Sequence, residues 1–185
     1  RHHIGPELQI GHRLGDYFEE PVLLIKTAWG GKRIYKDFRP PSAGGETGEY
    51  YQRMLMEVDE ALKNYQEEFP VLKGMKPKWG GFIWFQGWND MFNQDALAQY
   101  EENLVHLIKD LRTSLNQPNL PVVVGELGNM GEDAGTNMKF IREAQRKACQ
   151  RKEWKGRVSF VKTTNFARPK DCLLYTSPSP RDGRI

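Results

Sequence analysis

Apolar residues recur along this chain at two periods, and the two alternate. Tyr51, Leu55, Val58, Leu62, Tyr65 and Phe69 are spaced 4, 3, 4, 3, 4, the signature of a long helix with one buried face. Leu97, Tyr100, Leu104, Leu107 and Leu111 repeat that pattern, with Asn93 or Asp95 placed to cap the helix. Residues 137–151 predict a third long helix. Pro6 opens a short one in which Ile10, Leu14 and Phe18 share a face. Between these lie four short apolar runs, residues 21–26, 82–86, 121–126 and 157–163, of the kind buried on both sides in a parallel sheet. Strands alternating with helices predict βαβ units with right-handed crossovers, hence an α/β fold with a doubly wound parallel sheet and helices on both faces.

The pattern fails in two places. Residues 38–48, rich in Pro, Gly and Ser, form a loop. From about Asp171 no period survives, two Ser-Pro dipeptides appear, and the stretch resembles the translation of a cloning adaptor. Residues 1–170 are therefore expected to form the core, with 171–185 a non-native tail.

Composition narrows the function classes. With 185 residues, 38% hydrophobic and 28% charged, the chain has enough material for one ordinary core. The longest apolar runs, 22–25 and 121–124, fall far short of the roughly 20 residues of a membrane-spanning helix. The net charge of +3 comes from 27 basic and 24 acidic residues that are interleaved, so no nucleic-acid stripe is expected. The most basic stretch, Arg142 to Lys155, also contains Glu143 and Glu153 and reads as a solvated helix face. Cys149 and Cys172 show no paired spacing, and His2, His3, His12 and His106 form no ligand pattern with carboxylates, so a metal site has little support. The chain begins at Arg1 without a recognisable leader, which leaves the compartment open and suggests a start further upstream.

Candidate chemistry collects at two strand ends. Open α/β sheets bind ligands beyond the carboxyl ends of their strands, and residues 80–90, Gly-Gly-Phe-Ile-Trp-Phe-Gln-Gly-Trp-Asn-Asp, run from a strand into Gln86, Gly87, Asn89 and Asp90. The first apolar run likewise ends in Thr27-Ala28-Trp29-Gly30-Gly31. The backbone N–H groups of Gly30 or Gly31 and the side-chain amides of Gln86 or Asn89 are uncharged donors suited to a developing oxyanion. The alternative is that the amides satisfy loop backbone and the glycines merely turn the chain. Trp29, Trp84 and Trp88 surround the same turns. Trp84 is expected in the core, and Trp29 and Trp88 are candidates to flank a sugar. Asp90 is expected to orient the loop, bind a hydroxyl or cap, and Glu126, at the end of the 121–126 run, to line the site. No nucleophile accompanies them: Ser42, Ser114, Ser159, Ser177 and Ser179 all lack a sharp strand-to-helix turn.

Together the 21–31 run with its Ala-Trp-Gly-Gly-Lys turn, the Trp84–Asp90 block and residues 121–128 resemble the sialate O-acetylesterase-like carbohydrate esterases of the SGNH hydrolase superfamily. The resemblance spans roughly residues 4–169. It implies a three-layer α/β/α sandwich with a flavodoxin-like sheet, here incomplete at both ends. It also implies a serine in a Gly-Gln-Ser-Asn block before Arg1 and an Asp-x-x-His beyond the last native residue. The implied enzyme deacetylates O-acetylated sugars, sialate or plant or algal polysaccharide, through an acyl-enzyme without metal or cofactor. It would be secreted or periplasmic. Read as Gly-x-Asn-Asp, the third block makes Asn89 the oxyanion donor; read as Trp-His-Gln-Gly-Glu-x-Asp, it makes Gln86 the donor, with Gly30 or Gly31 supplying an N–H. Phe85 and Trp88 stand where that second pattern has histidine and glutamate, so no glutamate here serves a triad. The chain itself is expected to lack triad-dependent activity, and a non-catalytic glycan-binding module is the alternative reading.

Overall fold

The computed structural model describes residues 5–166. Helices α1 (Glu7–Tyr17), α2 (Glu49–Glu68), α3 (Gln94–Ser114) and α4 (Thr136–Cys149) are joined by strands β1 (Phe82–Trp84), β2 (Val122–Gly125) and β3 (Val158–Val161). The described residues divide into two compact units, 5–29 with 53–78 and 30–52 with 79–166. The second holds the sheet. The strands are parallel in the order β1-β2-β3, with Trp84 opposite Val124 and Val122 opposite Val158. The fold is of the expected α/β class.

In the second unit α3 and α4 are the crossovers, and they pack on one another. Successive right-handed crossovers in one direction place both helices on the same sheet face. Strand burial follows: Trp84, Val122, Val124 and Val158 are buried, whereas Ile83 and Val161 on the other face are 47% and 40% exposed. α3 buries Leu97, Tyr100, Leu104, Leu107 and Leu111, the residues its spacing predicts. Asn93 caps it by accepting the Ala96 N–H through Oδ1 at 2.8 Å. Burying such an aliphatic side chain contributes about 1.5–3 kcal/mol, so this stripe is a principal source of the unit's stability.

In the first unit, α2 buries Met54 and Tyr65, and Phe69, just past its end, is 45% exposed. α1 buries no residue; Lys26 pairs with its Glu7. Residues 21–26, expected as a strand covered on both sides, form no strand. Leu23 and Ile25 are half-buried while Val22 and Leu24 stay 39% and 40% exposed. Strand identity requires a ladder with a neighbour, and no described strand pairs with this segment. The expected tail, 171–185, lies outside the described residues.

Candidate active site

The turn that follows Gly30-Gly31 and the loop that follows β1 are tied together by hydrogen bonds. Gly31 has φ of +73°, which a glycine adopts without strain. Beyond it the chain presents the Lys32 carbonyl and the Ile34 and Tyr35 N–H groups to residues 86–90. Gln86 Nε2 donates to Lys32 O at 3.0 Å and to Asp90 Oδ2 at 2.6 Å. Asp90 accepts the Ile34 N–H through Oδ2 and the Tyr35 N–H through Oδ1, each at 3.1 Å. Residues 32–35 and 86–90 are thus held together by four hydrogen bonds, one of them within residues 86–90.

Further contacts hold this junction from α3 and α4. Tyr100 Oη donates to Gln86 O at 2.7 Å, and Gln145 Nε2 donates to the same carbonyl at 2.9 Å. Gln145 Oε1 accepts the Leu127 N–H at 2.9 Å, linking the loop after β2. Gly87 sits where nothing larger fits: a Cβ would lie 2.8 Å from Ile141 Cγ2, and its φ of +150° disfavours other residues.

Asp90 is fully buried. Desolvation by burial pushes its carboxyl up to about 6, opposed by the hydrogen bonds from Gln86, Tyr35 and Ile34 and by the Arg33 charge. Burial, and secondarily the Asp90 charge, raise the Tyr100 hydroxyl far above its ordinary value, so it keeps its proton, donating to Gln86 O and accepting from Gln145 Nε2 at 3.4 Å. Of the three expectations for Asp90, loop orientation is the one its contacts match. Among the described residues its carboxyl hydrogen bonds all run to Ile34, Tyr35 and Gln86.

Glu126 is engaged in the same way. It is 5% exposed, and its Oε2 accepts the Thr163 and Thr164 N–H groups at 2.8 and 2.7 Å and the Thr164 hydroxyl. A carboxylate so engaged fixes the turn after β3.

Gln86 and Asn89, indistinguishable in sequence, differ sharply. Both Gln86 amide hydrogens are engaged. Asn89 is half-buried, precedes the short 3₁₀ turn Asp90–Phe92 and makes no side-chain cap to it. Its amide has no hydrogen-bond partner among the described residues, and neither has the Gly30 N–H. Trp88 is half-buried, its ring 5.8 Å from that of Phe92 in an edge-on arrangement. Trp84 is 5% exposed and packs edge-on against Phe38, a core residue as expected. Trp29 belongs to the first unit, where the Arg53 guanidinium lies 5.1 Å from its ring.

Several supports were not anticipated. Arg142 and Gln145, placed by sequence on or beside a solvated basic face, are 8% and 0% exposed. Arg142 donates to the carbonyls of Leu127, Gly131 and Asn129, bracing the loop after β2. The available signal is that both share the i, i+3, i+4 stripe of Met138, Ile141, Ala148 and Cys149. Ser42 also has an unforeseen partner, His106 Nδ1, at 2.7 Å. Asp110, one turn further along α3, accepts the Ser42 N–H instead of orienting the imidazole. Burial pushes the Cys149 thiol up to about 12, which removes it as a nucleophile.

Residues 1–182 match the family described as carbohydrate esterase, sialic acid-specific acetylesterase. The chain belongs to this family. The matched span extends into residues 171–182, most of the segment expected to be a tail. A probable carbohydrate esterase of Arabidopsis thaliana is 30% identical over 95 residues, 51% of this chain and 31% of the relative. The X-ray structure of that Arabidopsis protein superposes with a TM-score of 0.69 at 21% identity, covering 91% of this chain and 59% of its own. A carbohydrate acetylesterase from Xanthomonas citri gives a TM-score of 0.63 at 20% identity, covering 89% of this chain and 35% of its own. At these identities the two structures speak for the fold. The chain spans less than two thirds of the length of each relative. No helix among the described residues is long and apolar enough to cross a membrane.

Proposed function

We propose that the whole protein removes O-acetyl groups from a carbohydrate by serine-dependent acyl transfer, with the Asn89 amide and the Gly30 N–H as its oxyanion donors. The observation that carries this reading is the contrast between Gln86, whose amide hydrogens are both engaged, and Asn89 and Gly30, whose hydrogens are not. In such a reaction a serine oxygen attacks the acetyl carbonyl and the negative charge moves to the carbonyl oxygen. The sugar oxygen leaves with a proton from the general acid, and water then releases acetate. Donors already free and fixed lower the cost of the charged intermediate without rearranging.

Gln86 and Asp90 act as struts that hold the donors' two segments, and Trp88 flanks the sugar. The serine and histidine are those that the family resemblance places outside this chain. Gly31 keeps the site role expected of it in that resemblance, and the acetylated sugar remains sialate or a plant or algal polysaccharide.

A titration and a turnover assay test the proposal. The purified 185-residue chain is expected to bind an O-acetylated methyl glycoside more tightly than its deacetylated counterpart, with Asn89→Ala erasing the difference; equal affinities in the unaltered chain overturn the reading. The same chain is expected to show no turnover of an aryl acetate. Turnover abolished by Ser42→Ala would instead assign catalysis to the Ser42–His106 pair.

A further inference from the structure

Immediately beyond Trp88 and Asn89 the chain builds a cavity, of about 300 Å³, lined by Met91, Phe92, Gly135, Thr136, Asn137 and Met138. One wall is the 3₁₀ turn Asp90–Phe92 and the other is the start of α4. Asn137 Nδ2 donates to Met91 O at 2.9 Å across the two walls, so the cavity is held in shape before anything enters. Phe92 is 64% exposed, a large apolar area left in water although its ring is positioned by Trp88 at 5.8 Å. No residue of the lining carries a charge. The Thr136 hydroxyl, without a hydrogen-bond partner among the described residues, and the Asn137 carbonyl oxygen are the neutral polar groups beside it.

An exposed ring beside uncharged donors and acceptors fits the apolar face and equatorial hydroxyls of a pyranose. It fits neither a carboxylated sugar nor a phosphate, which call for a cation. The volume lies at the lower end of the roughly 300–1,000 Å³ range of small-ligand sites, enough for one ring rather than a chain.

We propose that this cavity is a subsite for the neutral pyranose adjoining the acetylated unit, with Phe92 as its stacking platform and Thr136 and Asn137 as its polar contacts. The inference rests on the esterase reading of the Asn89 site, because the two are contiguous through Trp88 and Asp90. It makes the preferred substrate an oligosaccharide with a neutral neighbour and gives Phe92 a role in specificity.

The test compares an O-acetylated methyl xyloside with the corresponding O-acetylated methyl xylobioside, titrated into the 185-residue chain and followed by backbone amide NMR. The disaccharide is expected to bind about tenfold more tightly and to shift the amides of residues 91–92 and 135–138, which the monosaccharide leaves in place. Phe92→Ala and, separately, Thr136→Val are expected to lower the ratio of disaccharide to monosaccharide affinity. A ratio near one in the unaltered chain, or a ratio that both variants leave intact, overturns the subsite. Asn89→Ala reads the other site: if it weakens neither sugar while the Phe92→Ala ratio falls, the oxyanion assignment fails and the subsite stands.

Discussion

Residues 86–92 contain two interleaved sets with opposite fates. Gln86, Gly87 and Asp90 turn inward, where the Gln86 amide and the Asp90 carboxyl are engaged and a Cβ on Gly87 would meet Ile141. Trp88, Asn89 and Phe92 form the other set, with an amide that has no hydrogen-bond partner among the described residues and two rings that pack edge-on against each other. On the proposed reading, one short loop supplies both the scaffold and the chemistry of a site. Buried polar groups left unpaired are costly, so the inward set is dictated by stability; the other set has no such reason to be polar or aromatic and is better explained by a ligand.

The sharpest way to break this division is to remove the central strut. Asp90→Ala leaves the Ile34 and Tyr35 N–H groups and one Gln86 hydrogen without an acceptor, and is expected to cost about 3–5 kcal/mol of unfolding free energy, measured by urea denaturation. A loss below about 1 kcal/mol would place Asp90 with the other set.

Next in size is a pH effect. The folded carboxyl, at about 6, holds its proton more tightly than the ordinary value of 3.8, so between about pH 4 and 6 the native state binds more protons than the unfolded chain. Its contribution is therefore most favourable at low pH and declines as pH rises through 6, by roughly 2–3 kcal/mol. Exposed carboxylates such as Glu143, held low by Arg146, act in the opposite direction. The difference between unaltered chain and Asp90→Asn across pH 4–7 isolates the buried group, and this slope should vanish in the variant.

Gly87→Ala is expected to cost about 1–3 kcal/mol through its contact with Ile141 and its unfavourable φ. Asn89→Ala is the smallest in stability, within about 0.5 kcal/mol, although it is expected to erase the preference for acetylated sugar. If Asn89→Ala destabilises as much as Gly87→Ala in the same denaturation series, the assignment of Asn89 to the other set is wrong.

How far these roles were legible in sequence depends on where each residue's partner lies. The runs at 82–86, 121–126 and 157–163 became strands because each has a neighbour in the sheet, and the α3 stripe was read correctly because helical burial is local. Residues 21–26 have an equally apolar composition, yet composition carries no information about a pairing partner. Gln86 and Asn89 have the same chemistry three residues apart, and their separation depends on Lys32, more than fifty positions away. Arg142 and Gln145 looked solvated because neighbouring charges dominated the composition, although their positions in the apolar stripe already marked them as inward. The Ser42–His106 contact joins a loop to the middle of α3 and left no local trace.

The most direct measurement of the central claim is side-chain amide NMR of Gln86 and Asn89 during titration with sodium acetate, whose carboxylate oxygen imitates the oxyanion. The Gln86 NH₂ protons are predicted to exchange slowly with solvent and stay in place, while those of Asn89 exchange quickly and move with acetate. Movement of the Gln86 amide with an indifferent Asn89 would contradict the account.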